Sequence, residues 1–143
     1  MIGEYLDQPD ATAQVQEHRW HHTGDIGYFD EDGFLYVVDR TKDLIITGGF
    51  NVFSAEVEAT IAALPGVREC AVVGVPDRKW GEMVTAVVVA DRGYELSEDT
   101  VIASVKAAIG SVQAPKRVHF VDTLPKTTAG KIDKKVIRAG RST

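Results

Sequence analysis

Two runs dense in β-branched residues, Glu69 to Val75 and Met83 to Ala90, lie only a short loop apart, and this pair most restricts the fold. Side chains branched at Cβ favour strands because they pack well on a pleated surface. A parallel pair needs a crossover of about a dozen residues or more. Pro76 to Glu82 is too short to supply one, so the two strands are expected to pair antiparallel. Helical spacing recurs on either side of them. Val57, Ile61 and Leu64 follow Ser54, read as a cap, and Pro65-Gly66 ends that helix. Val101, Val105 and Ile109 follow Ser97, a second cap, and Gly110 closes the helix.

Shorter signals fill in the rest. Leu44-Ile45-Ile46 reads as a strand, Gly48-Gly49 as a turn, and Phe50 to Phe53 as a returning strand. Arg117 to Val121 reads as a short strand, Thr127 to Gly130 as a flexible loop, and Asp133 as the start of a last helix. Upstream, Asp25 to Phe29 and Phe34 to Val38 flank the turn composition Asp30-Glu31-Asp32-Gly33 and predict a hairpin. Met1 to Arg19 is polar with weak periodicity. The charged interruption Asp39 to Lys42 divides the chain into segments 1–39 and 40–143. The expected class is α+β: a small, mostly antiparallel sheet with helices packed on it, preceded by a β-hairpin.

Charge and cysteine usage narrow the function classes. A net charge of -5 argues against a general nucleic-acid binder. Lys126, Lys131, Lys134, Lys135, Arg138 and Arg141 nevertheless crowd the C-terminal end against the single acid Asp133. Such a tail is either a solvated helix face or a site for an anionic partner. Cys70 is the only cysteine, so an internal disulfide is ruled out, and its apolar surroundings read as packing rather than a reactive thiol. No apolar run approaches the ~20 residues of a membrane span, and Met1 to Tyr5 lacks a secretory pattern. A cytoplasmic location is the default expectation.

Three segments, in this order, carry the chemistry. They are His22-Thr23-Gly24-Asp25, the run from Asp39-Arg40-Thr41-Lys42 through Ile46-Thr47-Gly48-Gly49-Phe50-Asn51-Val52, and Leu124-Pro125-Lys126-Thr127-Thr128-Ala129-Gly130-Lys131-Ile132-Asp133. Together they resemble the C-terminal motifs of the adenylate-forming (ANL) superfamily, which holds acyl-CoA synthetases, luciferases and peptide-synthetase adenylation domains. The run Ile46 to Val52 is most similar to the acyl-CoA synthetases, fatty-acid types especially. The resemblance extends from about Trp20 to about Ala139.

That resemblance implies a two-step ligase. A carboxylate attacks the α-phosphate of ATP, giving an acyl-adenylate and pyrophosphate; the thiol of coenzyme A then displaces AMP. Both steps need charge stabilised more than they need a protein nucleophile. In the family a small C-terminal lid closes over a large N-terminal domain in two orientations, one per step. Matched residue by residue, Lys131 takes the place of the catalytic lysine. Asp25 and Arg40 match groups near the ribose of ATP or AMP, and a carboxylate suits hydroxyl donors because it only accepts. Lys42 matches the hinge. Gly48 and Gly49 match the turn beside the pantetheine arm of coenzyme A, where glycine lets backbone approach a ligand. Trp80 reads either as a further coenzyme A contact or as ordinary packing, and Lys116 as a partner for a phosphate. Without the motif, Arg40 reads as half of a surface ion pair and Lys131 as a solvated lysine.

One departure stands out. Where many members carry an aromatic and a basic residue before the proline matching Pro115, for the adenine of coenzyme A, this chain has Val112 and Ala114. The family's phosphate loop, acyl pocket and adenine-binding segment have no counterpart in these residues. The resemblance places them, with Mg2+, in a large AMP-binding domain N-terminal to Met1, of which residues 1–39 would be the end. The chain alone is then expected to be inactive, with that domain, a carboxylic acid, ATP and coenzyme A as its partners. The surroundings of Lys131 also resemble the acetylation context of acyl-CoA synthetases, implying a lysine acetyltransferase and deacetylase. The alternatives are a non-catalytic AMP- or coenzyme A-binding docking module, or a piece of a luciferase-like or peptide-synthetase enzyme.

Overall fold

The computed structural model describes residues 9–17 and 20–141, and the chain falls into two compact units, residues 1–42 and 43–143. In the first, helix α1 (Pro9–Val15) precedes the two-residue strands β1 (Gln16–Glu17) and β2 (Trp20–His21), which pair antiparallel. Weak periodicity gave no sign of them. The hairpin follows as β3 (Asp25–Phe29) and β4 (Leu35–Arg40), antiparallel with an irregularity between Ile26 and Gly27. Its turn is built by Asp30, whose Oδ1 accepts from the N–H groups of Asp32 (3.0 Å) and Phe34 (2.8 Å). The Phe34 N–H above all holds that carboxyl below its ordinary pKa. Tyr28 and Tyr36 stack with centroids 5.4 Å apart, while Phe29, Phe34 and Val37 are each more than 60% exposed within the chain.

In the second unit, β5 (Ile45–Thr47) and β6 (Phe50–Val52) form a hairpin closed by Gly48 and Gly49. Both glycines have positive φ, 56° and 83°, the backbone that a two-residue hairpin turn requires. Helix α2 (Ser54–Ala62) leads into β7 (Val67–Asp77), which pairs antiparallel with β8 (Gly81–Ala90) along its whole length, as the short connection requires. The strands run further than the sequence pattern suggests, so Pro76, Asp77, Gly81 and Glu82 are paired and only Arg78 to Trp80 turn the chain. After helix α3 (Glu98–Ile109), β9 (Arg117–Phe120) joins β8 in parallel, and the chain ends in α4 (Lys134–Ala139). With β7 along one edge of β8, the other edge is shared by β9 at Thr85–Val88 and by β5 at the single pair Thr47–Gly81.

The sheet has a core on each face, which is why its central strands read as continuous valine runs rather than alternating ones. Val72, Val84, Ala86 and Val88 face Val57 and Ile61 of α2 and Val101 and Val105 of α3. Ala71, Val73, Val87 and Val89 face Leu124 and Ile137 of α4. The architecture is the expected small, mostly antiparallel sheet with helices packed on it, with one parallel strand. Among the described residues no helix is long and apolar enough to cross a membrane.

Caps divide as physics rather than pattern dictates. Ser97 caps α3, its Oγ accepting from the Thr100 N–H at 3.1 Å. Ser97→Ala is expected to lower the chain's stability by about 1 kcal/mol, the usual worth of such a cap, as measured by urea unfolding. Ser54 is not a cap: Phe53 occupies that position without a side-chain bond, and Ser54 is the fully buried first residue of α2.

Candidate functional site

Lys131 stands exposed at the end of a closed hairpin rather than on a slack loop. Lys126 and Ile132 pair as an isolated antiparallel bridge. The Thr127 N–H donates to the Lys131 carbonyl (2.7 Å), the Gly130 N–H to the Thr127 carbonyl (2.9 Å), and the Asp133 N–H to the Pro125 carbonyl (2.8 Å). Gly130 has φ 76°, the left-handed conformation that the turn needs and that side chains resist. Both ends are fixed. Lys126 Nζ lies 2.7 Å from Glu69 Oε1 on β7, and Asp133 caps α4 by accepting from the Lys135 and Val136 N–H groups at 3.1 Å.

Gly48, Trp80 and Lys116, far apart in sequence, converge. The Gly48 N–H donates to the Trp80 carbonyl at 2.7 Å, and a Cβ on Gly48 would stand 3.2 Å from the indole. The turn carrying Trp80 is held by Asp77, whose Oδ1 accepts from the N–H groups of Lys79 (2.8 Å) and Trp80 (2.9 Å). Glu82 Oε2 accepts from the Ile46 N–H at 2.7 Å, tying that turn to the β5–β6 hairpin. Lys116 donates to the Ser111 carbonyl at 2.8 Å, with its Nζ 5.8 Å from the indole centroid. Lys79 lies closer, at 4.8 Å. Lys79 carries no motif of its own in the sequence; its place beside Trp80 in a turn is the one local signal for it. Trp80 is 37% exposed, so an aromatic surface flanked by two ammonium groups faces solvent beside a glycine turn. Gly49 has nothing within 4 Å of an added Cβ. Val112 and Ala114 pack into the core and take no part in this surface.

The two clusters occupy opposite ends of one strand. Glu69, which holds the Lys131 hairpin, and Asp77, which holds the Trp80 turn, both belong to β7. Their separation of eight residues amounts to roughly 26 Å at the usual rise of a strand. In the first unit Asp25 and Arg40 stand opposite each other on β3 and β4, with Asp25 Oδ1 3.3 Å from Arg40 Nε. Beside them the Thr41 N–H donates across the open end of the hairpin to the Gly24 carbonyl (2.8 Å), and the Asp25 N–H donates to Thr23 Oγ1 (3.2 Å). Lys42 lies in the 3-10 turn Thr41–Asp43, at the division between the units.

Cys70 is half-buried against the core. Burial, with help from the Glu58 charge, pushes its thiol up to about 11, away from nucleophilic use. Among the described residues there is no group of three or more His, Cys, Asp or Glu side chains placed to hold a metal ion.

Residues 56–131 match the family described as AMP-binding enzyme C-terminal domain. The chain is 51% identical to a medium/long-chain-fatty-acid–CoA ligase, FadD8, of Mycobacterium tuberculosis, over 97% of this chain and 26% of that protein. Among solved structures it is similar to ATP-bound MatB from Rhodopseudomonas palustris, at 42% identity and a TM-score of 0.87, covering 97% of this chain and 28% of the other. It is also similar to the amide bond synthetase McbA from Marinactinospora thermotolerans, at 43% identity and a TM-score of 0.86, covering 96% and 28%. The chain spans about a quarter of the length of the curated relatives it matches.

Proposed function

This chain belongs to the AMP-binding enzyme C-terminal domain family and is closely related to the fatty-acid–CoA ligases, and from that premise we propose that it is the catalytic lid of an ATP-dependent carboxylic acid–CoA ligase whose acid is a fatty acid. The observation that carries the reading is the placement of two chemically distinct clusters at opposite ends of β7. A single reaction centre cannot touch both ends of a strand that long, so the lid presents one end for each step.

With the Lys131 end inward, the ammonium sits between the substrate carboxylate and the α-phosphate. It offsets negative charge as a carboxylate oxygen bonds to phosphorus and the bond to pyrophosphate breaks. With the other end inward, Gly48 and Gly49 border the pantetheine arm, and Lys79, Lys116 and Trp80 meet the nucleotide part of coenzyme A. Its sulfur then bonds to the acyl carbon, the bond to AMP breaks, and the thiol proton passes to solvent. Asp25 accepts from the ribose hydroxyls of ATP and AMP, with Arg40 beside it. Residues 1–39 are assigned to the end of the large domain, which supplies the phosphate loop and Mg2+. The exposed apolar face of β3 and β4 rests on that domain, since a two-stranded hairpin is marginal by itself. Lys42 is the pivot.

The test separates the half-reactions in the complete ligase bearing this chain. Trp80→Ala is expected to raise the KM for coenzyme A about five- to tenfold, the lower range for losing one stacking platform. Pyrophosphate release from acid and ATP stays at the parent rate. Equal loss in both steps, or an unchanged KM, sinks the assignment of this end to coenzyme A.

A second reading rests on the inward packing of Val112 and Ala114 together with the likeness to an amide bond synthetase. An amine then takes the acyl group in place of the thiol. Supplying acyl-adenylate with coenzyme A or with amines, and identifying the product, decides between them.

A further inference from the structure

Beyond Lys131 itself, the lysine three residues later is tied into the fold by an ion pair that links two helices across a strand edge. Helices α2 and α4 lie on opposite faces of β7, whose one strand partner among the described residues is β8, so that its other edge has no strand beside it there. Lys134, the first residue of α4, reaches across to α2: its Nζ lies 2.8 Å from Glu58 Oε1 and 2.9 Å from Ser54 Oγ. Glu58 Oε1 also accepts from the Val72 N–H of β7 at 2.7 Å. Lys134, Glu58, Ser54 and the Val72 N–H form a clasp over the strand edge, with the Lys134 and Glu58 side chains only 19% and 22% exposed.

We infer that Lys134 is a positioning residue for Lys131, holding the hairpin in the geometry that adenylate formation requires. Only Ile132 and Asp133 separate the two lysines, and both are already committed. Ile132 bridges to Lys126 and packs on the core beneath α4, and Asp133 bonds the Pro125 carbonyl and caps α4. Neither residue retains freedom to absorb a shift of the helix start, so a displacement of α4 passes to the hairpin tip. The partner on the other hairpin strand, Lys126–Glu69, is more exposed and a weaker restraint. The clasp is better shielded, and its loss leaves Glu58 charged and half-buried with one partner fewer. A charge that acts between two anions must be placed to within about an ångström, so anchoring its carrier has a catalytic effect.

This inference rests on the reading of Lys131 as the adenylation lysine, and the experiment separates the two. Lys131→Ala, Lys134→Met and Lys134→Arg are compared in the complete ligase, with each half-reaction and the melting temperature measured. Lys134→Met is expected to slow adenylate formation about ten- to a hundredfold, the scale of an ångström's misplacement. The fall lies in kcat rather than in the KM for ATP, and the reaction of supplied acyl-adenylate with coenzyme A holds near the parent rate. Lys134→Arg restores most of the loss, because a guanidinium keeps the charge and the donors. Should Lys134→Met fail to fold, Glu58→Gln decides: it keeps an acceptor for Val72 but drops the charge, and must slow the same half-reaction. A parallel fall of both half-reactions with melting temperature, or an unchanged adenylation rate, overturns the positioning role. If Lys131→Ala itself leaves adenylation untouched, the functional reading falls and takes this inference with it. If Lys131→Ala is slow and Lys134→Met is not, only the inference falls.

Discussion

Lys131→Ala in the complete ligase is expected to slow adenylate formation by about a hundredfold or more, some 3 kcal/mol, the usual cost of deleting one preorganised electrostatic donor. The lysine is exposed at the tip of a hairpin whose two strands are bonded to each other and anchored to β7 and α4. The backbone that carries its ammonium is therefore ordered before the reacting anions arrive. Thioester formation from supplied acyl-adenylate and coenzyme A is expected to stay near the parent rate, because the proposed function turns the Lys131 end of β7 away in that step. Acetyl-lysine installed at position 131 gives the same split, since acetylation removes the charge. Adenylation continuing at the parent rate in both variants would remove the central residue from the proposed mechanism.

Lys42→Pro is expected to divide the two steps the other way. Lys42 lies in the 3-10 turn between the two compact units. Proline fixes φ near -65°, which a 3-10 turn accepts, but it forbids the large dihedral change a pivot needs. One half-reaction survives and the other falls by about a hundredfold or more, the scale for reacting groups held out of line. The expected survivor is adenylate formation, the expected loss thioester formation. Pyrophosphate release and thioester yield, followed separately, give the ratio. Equal losses in both would place the pivot elsewhere.

Local chemistry in the chain was enough for much of this structure. The short link between Glu69–Val75 and Met83–Ala90 dictated an antiparallel pair. Two consecutive glycines dictated the tight β5–β6 turn. Serine before an apolar periodic run marked the true start of α3 at Ser97. The same rule misplaced the cap of α2, because Ser54 is drawn into the core, where Lys134 donates to its Oγ. Nothing within α2 announces a partner eighty positions away. The chemical motifs also named Lys131, Asp25 and Arg40 as candidates, but the Asp25–Arg40 pairing depends on the register irregularity between Ile26 and Gly27, without which Asp25 would face Asp39.

What tertiary structure alone decided is which distant residues meet. Gly48, Lys79, Trp80 and Lys116 form one surface only because β5 touches β8 at Thr47–Gly81 and β9 enters beside Val84. A slip of one residue in either pairing would turn those side chains to the other face of the sheet. Val112 and Ala114 stand near Lys116 in sequence, yet they point into the core. The Lys134–Glu58 clasp exists only because α2 and α4 cover opposite faces of the same edge strand. Turn chemistry and hydrophobic period act over a few residues and can be read along the chain. Register and facing are settled by burying both sides of the sheet at once, so they emerge only when the whole core has closed.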